Sequence, residues 1–259
     1  MDFRSNLSAS NSIIKKAQSF PGVLAGIAAA ETLKQAPSYR ARSSVEWKTG
    51  AMFETHESIP WPEDAKSVLV LVYGHPSGEP ELDWWDGKGT EGNRVLMRVA
   101  EQMRQWFEST LHAKADPLPY HVENGGVFLK DAAVLAGLGV IGRNNLLVTP
   151  ELGPRVRLRA LFLSLELVPT GPIDWFSPCE GCPSLCWKAC PQKAFDTGAY
   201  SRMDCILQME ENRANVKKID QNKQDGRAVE VVSYCRACEL ACPAGHWEER
   251  PVTRYSAKT

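Results

Sequence analysis

All eight cysteines of this 259-residue chain lie between Cys179 and Cys242, and nothing before Cys179 carries a thiol. The first run is CEGCPSLCWKACP, with Cys179, Cys182, Cys186 and Cys190 followed by Pro191. The second is CRACELACP, with Cys235, Cys238 and Cys242 followed by Pro243. Between them Cys205 stands alone in SRMDCILQ. Thiolates at such short spacing are soft ligands, suited to iron–sulfur clusters or to zinc. Disulfides do not fit a chain whose opening, MDFRSNLSAS, lacks the basic-then-apolar pattern of an export signal.

Two Cys-x-x-Cys starts that each end in Cys-Pro match the paired runs of two-cluster ferredoxins, where the last cysteine of each run ligates the other cluster. On that pattern one [4Fe–4S] cluster takes Cys179, Cys182, Cys186 and Cys242. The other takes Cys190, Cys235 and Cys238, and Cys205 completes its four. Each cluster uses a four-cysteine set, so two clusters account for every thiol. Two zinc sites would use the same number. One irregularity stands in the first run, where three residues rather than the usual two separate Cys182 from Cys186. A bulge could absorb the extra residue, or the environment of that cluster is altered.

The cysteine boundary divides the chain into a cysteine-free domain, residues 1–170, and a cluster module, residues 171–259. With 30 basic and 31 acidic residues the net charge is −1, which demands neither nucleic acid nor an anionic membrane. The longest small apolar run, VLAGIAAA, is far short of the ~20 residues of a membrane span, and a cytoplasmic protein is expected. Residues 8–20 and 94–111 have helical spacing of apolar residues, the latter through Val95, Leu96, Val99, Met103, Trp106 and Phe107. KSVLVLVYG (66–74) reads as a buried central strand, FLKDAAVLAG (128–137) as a helix ending at glycine, and NLLVTP and RVRLRALFLSLEL (155–167) as strands. Alternating helices and strands predict an α/β sandwich.

AGLGVIGRNN (136–145) contains Gly137, Gly139 and Gly142 in the G-x-G-x-x-G spacing of dinucleotide-binding loops. Here a helix-like segment enters the glycines and a strand-like segment leaves them, the reverse of the order that aims a helix N-terminus at a pyrophosphate. Two readings remain: a helix C-cap followed by a tight turn, or a loop whose missing side chains let backbone approach some other flat cofactor.

LKDAAVLAGLGVIGRNNLLVTPELG (129–153), taken with the cysteine module and more faintly with WPEDAKSVLVLVYG (61–74), resembles the epoxyqueuosine reductase family, distant relatives of corrinoid reductive dehalogenases. The resemblance implies an α/β domain similar to nitroreductases that holds base-off cobalamin, followed by a module whose two [4Fe–4S] clusters feed electrons to cobalt. It places Gly137, Gly139, Gly142, Arg143, Asn144 and Asn145 against the corrin. It also implies an external electron donor such as ferredoxin or flavodoxin. Family members carry a proposed proton-donating aspartate in a V-D-[ST]-x-P type stretch. The matching stretch here, HVENGGVFLKDAAV (121–134), has Glu123 at the aspartate position and Gly126 in place of proline. Glutamate can donate a proton, but its extra methylene moves the carboxyl, so a different, small-molecule substrate is expected. The tRNA-acting enzymes continue into a helical-repeat domain, whereas this sequence stops 17 residues after Cys242; with near-zero net charge, nucleic acid is not expected as a partner.

The leading expectation is therefore an oxidoreductase, a corrinoid-dependent reductase with Glu123 as its acid. An electron-transfer protein or activator of a partner corrinoid protein is the alternative, and a flavin-dependent reductase the third. Arg155, Arg157 and Arg159 alternate with apolar residues and would share one strand face, either solvated or receiving an anion. Trp84 and Trp85 are expected to pack onto the domain or to cover a cofactor. His121 is expected to be an ordinary packed histidine, with proton carrier or cobalt ligand as alternatives, and Asp131 to lie on an exposed helix face.

Overall fold

The computed structural model describes residues 3–39, 61–220 and 228–245. The chain opens with α1 (Phe3–Gln18), β1 (Val23–Ala29), α2 (Ala30–Lys34) and β2 (Ser67–Gly74). A short 3-10 turn then leads into β3 (Trp84–Trp85), followed by α3 (Glu91–Trp106), β4 (Ala115–Pro117) and α4 (Leu129–Leu135). The hairpin of β5 (Val140–Ile141) and β6 (Leu147–Val148) precedes β7 (Val156–Leu163). The cysteine-bearing region contributes α5 (Leu185–Lys188), α6 (Arg202–Ala214), β8 (Lys217–Asp220), β9 (Ala228–Ser233) and α7 (Ala237–Leu240).

The main sheet has the order β1-β2-β7-β4, with antiparallel neighbours throughout. The expected α/β sandwich is thus built on an antiparallel sheet, an α+β arrangement. Every residue of β2 is buried, as a central strand covered on both faces requires. Alternation then sorts its side chains. Leu69, Leu71 and Tyr73 pack with Ile13 of α1 and Val95, Val99 and Met103 of α3. Val68, Val70 and Val72 pack with Ala132 and Ala133 of α4 on the opposite face. The small side chains of α4 let it lie close to the sheet.

α3 begins where Thr90 accepts a hydrogen bond from the Asn93 N–H at 3.2 Å. It buries the predicted Val95, Leu96, Val99 and Met103 and ends in a single π turn that buries Phe107. β1, unassigned in the sequence because its alanines and glycine give no β-branched pattern, pairs with β2 along its whole length. Trp84 and Trp85 are not a simple packed pair: Trp84 is half-buried, and Trp85 lines the large cleft bordered by the cysteine region. As β3 they hydrogen-bond to β9, opposite Ser233 and Val232, and so knit the cysteine region to the main body.

Candidate functional site

Two thiol quartets dominate the cysteine region. Cys179, Cys182, Cys186 and Cys242 line one small pocket with Arg143, Asn144, Val148 and Ser184. That lining contains no histidine or carboxylate, so its ligand set is sulfur alone. Cys190, Cys205, Cys235 and Cys238 line part of a much larger cleft of about 1010 Å³. Backbone N–H groups point at three sulfurs: Arg143 at Cys179 Sγ (3.4 Å), Ala194 at Cys190 Sγ (3.3 Å) and Ala237 at Cys235 Sγ (3.5 Å). Burial pushes the Cys186 thiol up, and Cys242 and Cys179 add to the effect. Burial pushes Cys238 up to about 12, with further contributions from Cys235 and Cys205. Four thiolates cannot ionise together in such a place without a cationic centre among them. Among the described residues no group of three or more His, Cys, Asp or Glu side chains closes around a point that would hold a single metal ion.

The second quartet joins the sheet through buried ion pairs. Arg236, between Cys235 and Ala237, places Nη1 2.6 Å from Asp83 Oδ2 and donates through Nη2 to the His75 carbonyl at 2.7 Å. Arg157 of β7 reaches Asp83 at 2.6 Å and Glu239 at 3.2 Å, and Arg236 also pairs with Glu239. His75 Nδ1 lies 2.9 Å from Asp83 Oδ1. Burial tends to raise the Asp83 carboxyl, but the His75 hydrogen bond and the charges of His75, Arg157 and Arg236 outweigh it and hold it low. Burial holds the His75 imidazole below its usual range. Arg155, immediately before β7, donates to the carbonyls of Cys242 (2.9 Å) and Ala244 (2.7 Å). The three alternating arginines are therefore not a solvated face: two of them fasten the cysteine loops to the sheet.

The glycine loop takes the C-cap form. Gly137 has φ +71°, and the Gly137 N–H to Val134 and Leu138 N–H to Ala133 bonds close the end of α4 as a Schellman motif. The close approaches its glycines allow are internal. A Cβ on Gly137 would meet the Thr170 carbonyl at 2.6 Å, and one on Gly139 the Val148 carbonyl at 2.1 Å. Gly142 faces Val148, Asn144 and, at 3.7 Å, Cys179 Sγ. Arg143 turns to the first quartet, donating to the Cys182 carbonyl and Ser184 Oγ. Only Asn144 and Asn145 of the loop line the large cleft. Asn144 also reaches the Cys238 carbonyl, and the Asn145 carbonyl accepts from Lys130 Nζ at 2.7 Å.

Glu123 lies in the 3-10 turn Val122–Asn124, between cleft-lining His121 and Phe128, and its side chain is outside the described residues. His121 is not packed in the core: it is exposed at the cleft and meets Tyr120 edge to face at 5.4 Å. Asp131 is not exposed either; only 8% accessible, it accepts the Ser38 N–H at 3.1 Å. Sequence reasoning passed over Asp83, Arg236 and Glu239. The clue available was their charge within otherwise ordinary turns, and a turn carboxylate is usually solvated.

The described region is thus a mixed α/β body with an antiparallel sheet and two sulfur-lined sites, and solved structures share its layout. Epoxyqueuosine reductase from Bacillus subtilis, in a structure with its catalytic loop swung out of the active site, superimposes with a TM-score of 0.66 and 18% identity, covering 95% of this chain and 68% of that one. No protein-family model matches the chain. Among curated proteins, the epoxyqueuosine reductase of Lactococcus garvieae is 26% identical over 195 residues, 70% of this chain and 52% of its own length. A tetrachloroethene reductive dehalogenase of Dehalobacter restrictus is 36% identical over 222 residues, 71% of this chain and 39% of its own. The chain is thus similar in sequence to epoxyqueuosine reductases and to reductive dehalogenases. It spans about half the length of the curated epoxyqueuosine reductases it matches. Among the described residues no helix is long and apolar enough to cross a membrane.

Proposed function

We propose that this chain is an iron–sulfur, corrinoid-dependent reductase that acts on a small molecule. The observation that carries the reading is the shared wall: four cysteines border a cleft of about 1010 Å³ that also meets the sheet. That volume sits at the upper end of small-molecule sites, roughly 300–1,000 Å³, and suits a cofactor with a substrate beside it. When bound, the clusters supply single electrons and a base-off corrinoid supplies a strongly reducing cobalt. Cys179, Cys182, Cys186 and Cys242 would hold one cluster, and Cys190, Cys205, Cys235 and Cys238 the other. Asn144 and Asn145 contribute polar groups to the cleft wall, and Arg157 and Arg236 fix the cluster loop against the sheet. Glu123, flanked by cleft-lining His121 and Val122, is the proposed proton donor. An external single-electron donor such as a ferredoxin or flavodoxin would supply the module. The relatives' names support a reductase, and the size of the cleft supports a catalytic role rather than electron carriage alone.

The test is an EPR titration of anaerobically reconstituted protein with cob(II)alamin, together with metal analysis. A base-off cobalt signal saturating at one equivalent, in protein that holds iron rather than zinc, supports the reading. Iron–sulfur signals with an unchanged free-cobalamin spectrum overturn the corrinoid part and favour the electron-transfer alternative. A bound yellow chromophore released on denaturation favours flavin.

A further inference from the structure

Among the described residues, the carboxylates that line the large cleft are Asp83 and Glu239, and both are already engaged by Arg157 and Arg236. The remaining cations of the lining are Lys88, Lys130, Arg159 and Arg213. None of these four forms an ion pair among the described residues. Arg213 belongs to the cysteine region, where thiolate clusters would balance it. Arg159 does not: it projects from the middle of β7, opposite Leu71 on the central strand.

The setting of Arg159 is built rather than incidental. Its Nε and Nη2 both donate to Asn93 Oδ1, at 3.0 and 2.7 Å. Its guanidinium sits 5.3 Å from the centre of the Tyr120 ring. Asn93 is fixed in turn through its N–H bond to the Thr90 cap. A neutral amide and an aromatic face orient the guanidinium, while Nη1 makes no hydrogen bond among the described residues. Burial disfavours the charged form of this arginine, with only Tyr120 opposing. A half-buried, oriented cation of this kind is a fork-shaped receptor for a planar or tetrahedral oxyanion.

We infer that the cleft takes a ligand bearing an oxyanion, a carboxylate or a phosphate, and that Arg159, held by Asn93 and Tyr120, is the residue that receives it. The inference deepens the proposed function, but it requires only that the cleft be a ligand site. The oxyanion belongs either to a substrate or to the phosphodiester of a corrinoid's nucleotide tail.

The test uses the full, cluster-loaded chain at low ionic strength. Calorimetric titrations with benzoate, inorganic phosphate, cobalamin and cobinamide (which lacks the nucleotide phosphate) are compared in the parent protein, Arg159→Gln and Asn93→Ala. Arg159→Gln removes the charge and shortens the side chain but keeps an amide donor, and iron content and thermal unfolding report whether it folds. Loss of a charge-assisted contact is expected to weaken the responsible ligand about ten- to hundred-fold, with a smaller loss for Asn93→Ala. Weakened cobalamin with unchanged cobinamide assigns the oxyanion to the cofactor. Weakened benzoate or phosphate with unchanged corrinoid binding assigns it to the substrate. A parent that binds benzoate or phosphate through Arg159 but no corrinoid sinks the corrinoid reading and leaves this inference standing. Affinities for all four probes that are equal in parent and variants, or a parent that binds none of them, overturn it.

Discussion

Between Ile13 and Leu167 the chain buries two apolar clusters, one on each face of the main sheet. Beyond Leu167 the buried apolar side chains among the described residues are Cys186, Ala194, Phe195, Val231 and Val232. α6 is as regular as α3, with a serine cap accepting the Asp204 N–H, yet buries no residue at all. The first region is held by area removed from water. The second is held by short turns, hydrogen bonds to cysteine carbonyls and the ion pairs around Asp83. A segment with so little core needs a cross-link or a metal to stay folded, and its eight thiols are what can supply one. The contrast is one of means: an apolar scaffold carries one wall of the cleft, and a thiol-rich segment with little core of its own carries the other.

Stripping metal from the cysteine quartets is the harshest challenge to this contrast. Amide exchange in α6 and in β8–β9 is expected to rise to nearly unprotected rates, while β2 stays slow. Simultaneous loss of protection in β2 would show that the two regions share one stability and that the contrast is false. The next largest effect lies at the seam. Asp83→Ala leaves Arg157 and Arg236 with Glu239 as their one remaining shared buried carboxylate among the described residues, and breaking a buried pair from one side costs about 3–5 kcal/mol. Arg157 retains some solvent contact, so the lower end of that range is expected in urea unfolding. Iron retention should fall with it, because Arg236 lies between two proposed ligands; unchanged iron content would mean that the seam does not position the cluster loop.

The scaffold was legible where side chains report their surroundings by pattern. SVLVLVY reads as a central strand, and the period of Val95, Val99 and Met103 reads as a helix. β1 was not legible because Leu24, Gly26 and its alanines carry little β signal, and its place is set by a register with β2 that only the fold reveals. The cysteine partition was proposed from the paired runs; in the structure Cys179, Cys182, Cys186 and Cys242 line one small pocket, and Cys190, Cys205, Cys235 and Cys238 border the large cleft. The role of Arg157 was not. Its face was readable from alternation, but its partners Asp83 and Glu239 are 74 residues before it and 82 after it, and no local rule connects them. The glycine fingerprint was legible through its context: a helix enters it and a strand leaves it, which set the dinucleotide meaning aside, and Gly137 does close the end of α4.

The smallest expected effect isolates a single imidazole within that seam. His75 is fully buried, and its Nδ1 is committed to Asp83, while Nε2 has no hydrogen-bond partner among the described residues. A Cβ on Gly92 would lie 2.1 Å from that nitrogen, so the first turn of α3 closes over the ring and only glycine leaves room. Burial lowers the folded-state pKa, so the unfolded chain binds the proton more readily than the folded one. The stability due to neutral His75 is therefore complete above about pH 6.5, the unfolded value. It declines as pH falls from there toward the folded value, at no more than about 1.4 kcal/mol per pH unit. Asp83, held low, adds a second loss only below the ordinary carboxylate range. In His75→Gln, whose amide keeps a donor toward Asp83, the decline between about pH 6.5 and 5 should flatten while the acid limb below it persists. Measured as urea midpoints across pH, an unchanged slope in the variant would place the mid-range acid sensitivity outside the seam.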